Sequence, residues 1–199
     1  MCGRYYFDID EKELKEIIEK IGENLYNNFK TGEIFPTNIA PIITDKGTTL
    51  AKWGFPKWDS KGVVINARAE SLSSKKMFQN LVTSNRCVIP ASGFFEWKQN
   101  PFRANQKDKY YFKRPNSILY MAGLFDYTNN ETRQLSMFEE ETKQLSYVII
   151  TRNANSYISS IHDRMPLILS QEEVKAWLNY QDLNTLIHKN NPVLESFIS

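Results

Sequence analysis

Between Ile39 and Leu169 the chain is a succession of short runs rich in β-branched and aromatic residues, separated by Gly, Pro, Asn and Asp. The runs are Ile39–Thr44, Thr48–Trp53, Val63–Arg68, Arg86–Ile89, Gly93–Trp97, Tyr110–Lys113, Ile118–Leu124, Ser146–Thr151 and Leu167–Leu169. Each has the length and composition of one strand. Many short strands with a few intervening helices predict an α+β domain built on a strongly curved, barrel-like, mostly antiparallel sheet. A first helix is expected where Leu14, Ile17, Ile18 and Ile21 recur at helical spacing, with Asp8 and Glu11, or Asp10 and Glu13, as a capping-box-like start. A second is expected over Ser73–Thr83 with Met77, Phe78, Leu81 and Val82 inward, and a third from Ser170, where Glu173 completes a capping box. At 199 residues with 41% hydrophobic content, one well-buried core is expected and two are not, so 1–199 reads as a single domain. The polar stretch 128–144 reads as an insert or extended hairpin on it.

The two cysteines, Cys2 and Cys87, make no disulfide framework, and there is no leader and no apolar run of about 18 residues. An intracellular protein with no membrane span is expected, in the cytoplasm or nucleoid if the source is bacterial. Lys and Arg number 25 against 23 Asp and Glu, so any nucleic-acid contact must use a local basic surface. A monomer is expected. His162 and the cysteines lack metal-ligand spacing, so neither metal nor cofactor is expected. Cys87 lies in an apolar run and reads as core, and His188 reads as a structural or exposed residue of a polar C-terminal helix.

Cys2 directly follows Met1, and removal of that one residue would leave an amine and a thiol on adjacent carbons. An α-amine titrates near ~7.7–8.0 and a thiol near ~8.5, so both are partly nucleophilic at neutral pH. Such a pair captures an aldehyde: the amine condenses to an imine and the sulfur closes a five-membered thiazolidine. In Asn66-Ala67-Arg68, strand alternation sends Asn66 and Arg68 to one face and Ala67 to the other. That face suits a polar substrate and its phosphate, or is simply a solvent-facing edge. In Gly93-Phe94-Phe95-Glu96-Trp97, Glu96 stands among aromatic residues, where desolvation would raise its pKa and make it a proton donor and acceptor. The plainer alternative is a carboxylate paired with Arg68 or Arg86. His162, in the turn-like Ile161-His162-Asp163-Arg164-Met165-Pro166, is the side chain type that titrates near neutral pH.

Taken in order, Met1-Cys2-Gly3-Arg4, Trp53-Gly54-Phe55-Pro56-Lys57-Trp58, Asn66-Ala67-Arg68-Ala69-Glu70, Arg86-Cys87-Val88-Ile89-Pro90, Gly93-Phe94-Phe95-Glu96-Trp97, Ala122-Gly123-Leu124 and His162-Asp163-Arg164-Met165-Pro166 resemble the SOS-response-associated peptidase family of abasic-site processing proteins. The resemblance spans nearly the whole chain. It implies a domain that grips single-stranded DNA and joins its N-terminal cysteine to an abasic site. The roles it implies are Cys2 as nucleophile, Asn66 as its positioning partner, Glu96 as acid and base, and His162 as helper at the sugar. Arg4, Trp53, Gly54, Arg68 and Arg86 are implied as DNA contacts. Met1 would be removed by autoproteolysis or by an aminopeptidase. Two other readings stand beside this one: an N-terminal-nucleophile peptidase or amidohydrolase using Cys2, Asn66 and Glu96, and a non-covalent single-strand-binding module.

Overall fold

The strand-forming runs close into a barrel. A computed structural model describes residues 2–21, 28–57, 60–103, 105–129, 143–182, 185–186 and 192–199. Its elements in chain order are β1 (Tyr5–Phe7), α1 (Lys12–Glu19), β2 (Gly32–Ile34), β3 (Ile39–Thr44), β4 (Gly47–Trp53), β5 (Phe55–Pro56), β6 (Val63–Val64), β7 (Asn66–Arg68), α2 (Lys76–Gln79) and α3 (Leu81–Ser84). They continue with β8 (Arg86–Ala91), β9 (Gly93–Gln99), β10 (Lys107–Lys113), β11 (Leu119–Asn129), β12 (Lys143–Asn153), β13 (Arg164–Pro166), β14 (Ile168–Leu169), α4 (Gln171–Leu178) and β15 (Glu195–Ile198).

Strands β12, β4, β3, β8 and β11 form a ring, because β11 pairs back onto β12 from Gly123↔Ile149 to Asn129↔Lys143. All the pairings in that ring are antiparallel except β12 with β4. Closure removes the exposed edges that strands this short would otherwise present. A second, antiparallel sheet runs β15-β10-β9-β1-β2. Strands β8 and β9 are one extended stretch bent at Ser92, which carries the chain from barrel to second sheet. Ser92 N–H donates to Tyr6 O at 2.8 Å, and Ser92 Oγ accepts from Asp8 N at 2.9 Å. Gly93 follows because a Cβ there would sit 2.4 Å from Phe112 O.

Between the sheets lies an aromatic core. Trp53, Tyr5 and Tyr147 are fully buried; Trp53 stacks on Tyr147 at 6.4 Å between centroids and tilts against Tyr5 at 5.2 Å. Trp53 Nε1–H donates to Ile65 O at 3.0 Å, and the Tyr5 and Tyr147 hydroxyls are 2.6 Å apart, so the polar tips of all three rings are satisfied. Gly54 follows Trp53 at φ +114°, and a Cβ there would meet Val63 Cβ at 2.8 Å.

The helices differ in detail from expectation. Helix α4 carries the predicted capping box: Glu173 N–H donates to Ser170 Oγ at 3.2 Å, and Ser170 N–H donates to Glu173 Oε2 at 2.8 Å. Helix α1 has no side-chain cap; Asp8 Oδ1 instead accepts from Asp10 N, forming a local turn before Glu11. The helix expected over Ser73–Thr83 is split into α2 and α3, and the hydroxyls of Thr83 and Ser84 both donate to Asn80 O. Of stretch 128–144, residues 130–142 lie outside the described residues, as does His188. Among the described residues no helix is long and apolar enough to cross a membrane.

Burial on this scale makes Trp53 a stability determinant. Trp53→Ala should destabilise the fold by about 3–5 kcal/mol, as other buried aromatic truncations do. Denaturant unfolding checks it, and a loss below about 1 kcal/mol would contradict this placement.

Candidate functional site

Strand β12 brings the site together. Its C-terminal half pairs with β7 in parallel, from Ile149↔Asn66 to Thr151↔Arg68, and with β13 through Thr151↔Pro166 to Asn153↔Arg164. Alternation along β7 buries Ala67 and turns Asn66 and Arg68 to the other face. Asn66 Nδ2–H donates to Cys2 O at 2.9 Å, tying the start of the chain to the barrel. Asn66 Oδ1 is buried and has no hydrogen-bond partner among the described residues. Cys2 is fully buried, with Sγ 3.7 Å from Arg4 O.

Glu96 reaches the same place from β9, on the face opposite Phe95 and Trp97. Its side chain is 2% exposed, and His162 Nε2 lies 3.8 Å from its Oε2. Burial raises the Glu96 pKa from an ordinary 4.5 to about 7, against the opposing pull of the positive charge at the chain's amino terminus. Burial pushes the Cys2 thiol up as well, and the Glu96 charge adds to it, so the thiol is held neutral until a base takes its proton. Burial also lowers the pKa of His162, leaving the imidazole uncharged at neutral pH. Here, then, are a carboxyl poised to exchange a proton near pH 7 and a neutral imidazole beside it. Among the described residues no cluster of His, Cys, Asp and Glu is arranged to hold a metal ion.

The residues expected to touch DNA are placed less uniformly. Arg68 is exposed and borders a cavity of about 390 Å³ shared with Asn66, Lys75, Met77 and Phe78. Arg4 is partly exposed; it pairs with Glu33 at 3.0 Å, and its guanidinium lies over Phe35 at 4.0 Å and Trp97 at 5.1 Å. Trp53 offers no ring face to a base, and Gly54 answers a steric need at the β4–β5 junction. Arg86 is likewise inside: Nε donates to Val82 O at 2.7 Å, Nη1 donates to Gln181 O at 2.8 Å, and the guanidinium lies over Trp177 at 4.3 Å. It ties the ends of α3 and α4, where helix carbonyls lack partners. The expectation of direct DNA contact is therefore replaced, for the Trp53 and Arg86 side chains, by core roles.

Sequence reasoning missed Arg164 and Glu70. Arg164 is 6% exposed and its guanidinium is bidentate to Glu70, at 2.7 and 2.9 Å, with Thr151 O accepting at 2.8 Å. This clamp fixes the His162 turn against β7 and β12. The signal that could have found it is an arginine set directly against the apolar run Met165–Leu169.

Fold and site together define a barrel protein in which Asn66 and Glu96, with His162 beside it, gather about Cys2 near the start of the chain. The chain belongs to the SOS response associated peptidase (SRAP) family, whose model matches residues 1–196. It is 35% identical over 197 residues to the abasic site processing protein YoqW of Bacillus subtilis, covering 90% of this chain and 80% of that one. It is 30% identical to the abasic site processing protein YedK of Escherichia coli, covering 91% and 81%. With the abasic site processing protein HMCES of Xenopus tropicalis the identity is 29%, covering 93% and 68%. A crystal structure of a protein from Bacteroides thetaiotaomicron shares the fold, with a TM-score of 0.80 over 99% of this chain and 91% of that one, at 22% identity.

The raised Glu96 pKa has a stability consequence. The native state binds this proton more tightly than the unfolded chain does, so stability falls as pH rises from about 4.5 to about 7, and the full cost is present above that window. Glu96→Gln should therefore raise Tm at pH 8, by about 2–4 °C for each kcal/mol relieved, and change it little at pH 4. Equal effects at both pH values would contradict the burial argument.

Proposed function

We propose that the protein processes abasic sites in single-stranded DNA by forming a covalent thiazolidine between Cys2, once Met1 is removed, and the ring-opened deoxyribose, shielding the lesion during the DNA damage response. The observation that carries this reading is the convergence of Cys2, Asn66, Glu96 and His162 from four separate parts of the chain. Family membership and the names of the relatives support the substrate class.

The chemistry assigns each group a step. His162, once it has taken a proton from the neighbouring Glu96 carboxyl, gives it to the sugar ring oxygen while the anomeric hydroxyl gives one back, which speeds opening to the aldehyde. Loss of Met1 frees the Cys2 amine, which Asn66 holds in an attacking geometry, with its buried Oδ1 available to accept an N–H. The amine attacks C1′, and Glu96 shuttles protons as the carbinolamine loses water. The thiol then gives up its proton and sulfur closes on the imine carbon. Amine, thiol and aldehyde thus become thiazolidine and one water. Arg68 and Arg4 supply phosphate contacts, the latter by exchanging Glu33 for a phosphate. Removal of Met1 by Cys2 itself would account for the peptidase in the family name.

A denaturing gel tests this against the two alternatives, using abasic oligonucleotide and casein as substrates. Processed wild-type protein should yield a denaturation-resistant DNA adduct and leave casein intact. Cys2→Ala should abolish the adduct while keeping weak affinity for intact single strands, and acetylation of the amine should do the same. Casein cleavage without adduct would favour a peptidase, and binding without either would favour a non-covalent module. Glu96→Gln and His162→Ala should each slow adduct formation by roughly 10²–10⁴-fold with single-strand affinity retained. Parallel collapse of rate and affinity would reassign both to folding or DNA contact.

A further inference from the structure

Asp163 follows His162 in the chain and has no part in the steps above. Its side chain is 84% exposed, that of Glu96 is 2% exposed, and that of His162, at 24%, is intermediate. The imidazole joins them: Nε2 lies 3.8 Å from Glu96 Oε2, and Nδ1 lies 2.9 Å from Asp163 Oδ1. Nδ1 is also 3.0 Å from the backbone nitrogen of Arg164, whose N–H points to it as a donor. One ring nitrogen cannot serve both neighbours in a single protonation state. With a proton on Nδ1 the ring donates to the Asp163 carboxylate; without it, the ring accepts from Arg164 N–H. Nδ1 therefore keeps a partner in both states without the ring turning. The Arg164 N–H stays in place because its guanidinium is anchored on Glu70 and Thr151.

From this geometry we infer that Glu96, His162 and Asp163 form a proton relay connecting the buried carboxyl to bulk water, with Asp163 as its outer port. The need for one arises in the proposed reaction, on which the relay's purpose rests. An α-amine titrating near ~7.7–8.0 is mostly ammonium at neutral pH. Ammonium, thiol and aldehyde give thiazolidine, one water and one surplus proton, released where Glu96 is almost fully enclosed. Glu96 takes that proton from the ammonium and passes it to Nε2. Nδ1 releases its own proton to Asp163, which loses it to water. The imidazole has changed tautomer, and its bared Nδ1 now accepts from Arg164. One adduct forms per molecule, so a single passage suffices.

The charges acting on His162 are those of Glu96 on β9, Asp163 on its own turn, Lys107 on β10 and the chain's amino terminus. Burial, with the amino terminus and Lys107 acting in the same direction, outweighs the pull of Asp163 and favours the neutral ring from which such a transfer starts. The Asp163 carboxylate meets the imidazole at 2.9 Å, so it acts through that residue and not on the sugar.

The test is Asp163→Ala, a change at an exposed position where folding should be altered by no more than about 0.5 kcal/mol. In dilute buffer the variant should form adduct roughly tenfold more slowly than wild type, a smaller loss than the 10²–10⁴-fold expected for an acid–base group itself. Added imidazole, which can take the proton directly, should restore the rate, and affinity for intact single strands should not change. An undiminished rate in dilute buffer, or a loss that no buffer restores, would overturn the relay. Nitrogen-15 NMR of His162 in the processed protein without DNA tests it independently of the crosslink. Wild type should show both tautomers in exchange, and Asp163→Ala should shift the population to the form protonated on Nε2. An unchanged tautomer ratio would overturn the relay. Absence of any adduct from wild type would instead overturn the proposed function, leaving the NMR result to decide the relay.

Discussion

The double pairing of β12 is the constraint on which both fold and site depend. Its N-terminal half takes β11 on one edge and β4 on the other, closing the barrel; its C-terminal half takes β7 and β13. The 11-residue strand is long enough to do both only because the barrel releases its edges after Ile149. Asn66 enters the site from β7, and the His162 turn is delivered by β13 through Arg164.

The second theme is a buried carboxyl kept at a cost. Glu96 lies almost fully enclosed on the face of β9 opposite Phe95, where an ionised group is disfavoured by desolvation, and the positive charge at the amino terminus offsets only part of that. The same burial keeps the Cys2 thiol neutral, the form less open to oxidation. Sites of this kind hold chemistry at the expense of stability.

Much of the fold is legible in the residue pattern, because strand runs such as Ile39–Thr44 and Gly93–Trp97 are dominated by apolar or aromatic residues. The strands that escape it lack that signature: β2 is Gly-Glu-Ile, β13 begins with Arg164 and ends at Pro166, and β15 holds Glu195 and Ser196. They are strands by tertiary pairing, not by propensity. Alternation correctly separates Asn66 and Arg68 from Ala67, and Glu96 from Phe95, but no local pattern tells which face meets which. Trp53 and Arg86 show the limit. An indole or guanidinium reads as a surface tool until its polar atoms are seen bonded to Ile65 O, Val82 O and Gln181 O inside.

The bond between protein and sugar decides the account. A lysine lyase holds its sugar through an imine that survives denaturation only after reduction, whereas a thiazolidine has no C=N bond to reduce. Proteolysis and mass spectrometry of the adduct, prepared without borohydride, should place the sugar remnant on the peptide beginning Cys2-Gly3-Arg4, at the combined mass less one water. A remnant found only after borohydride treatment, or carried by a lysine such as Lys52 or Lys57, would contradict it.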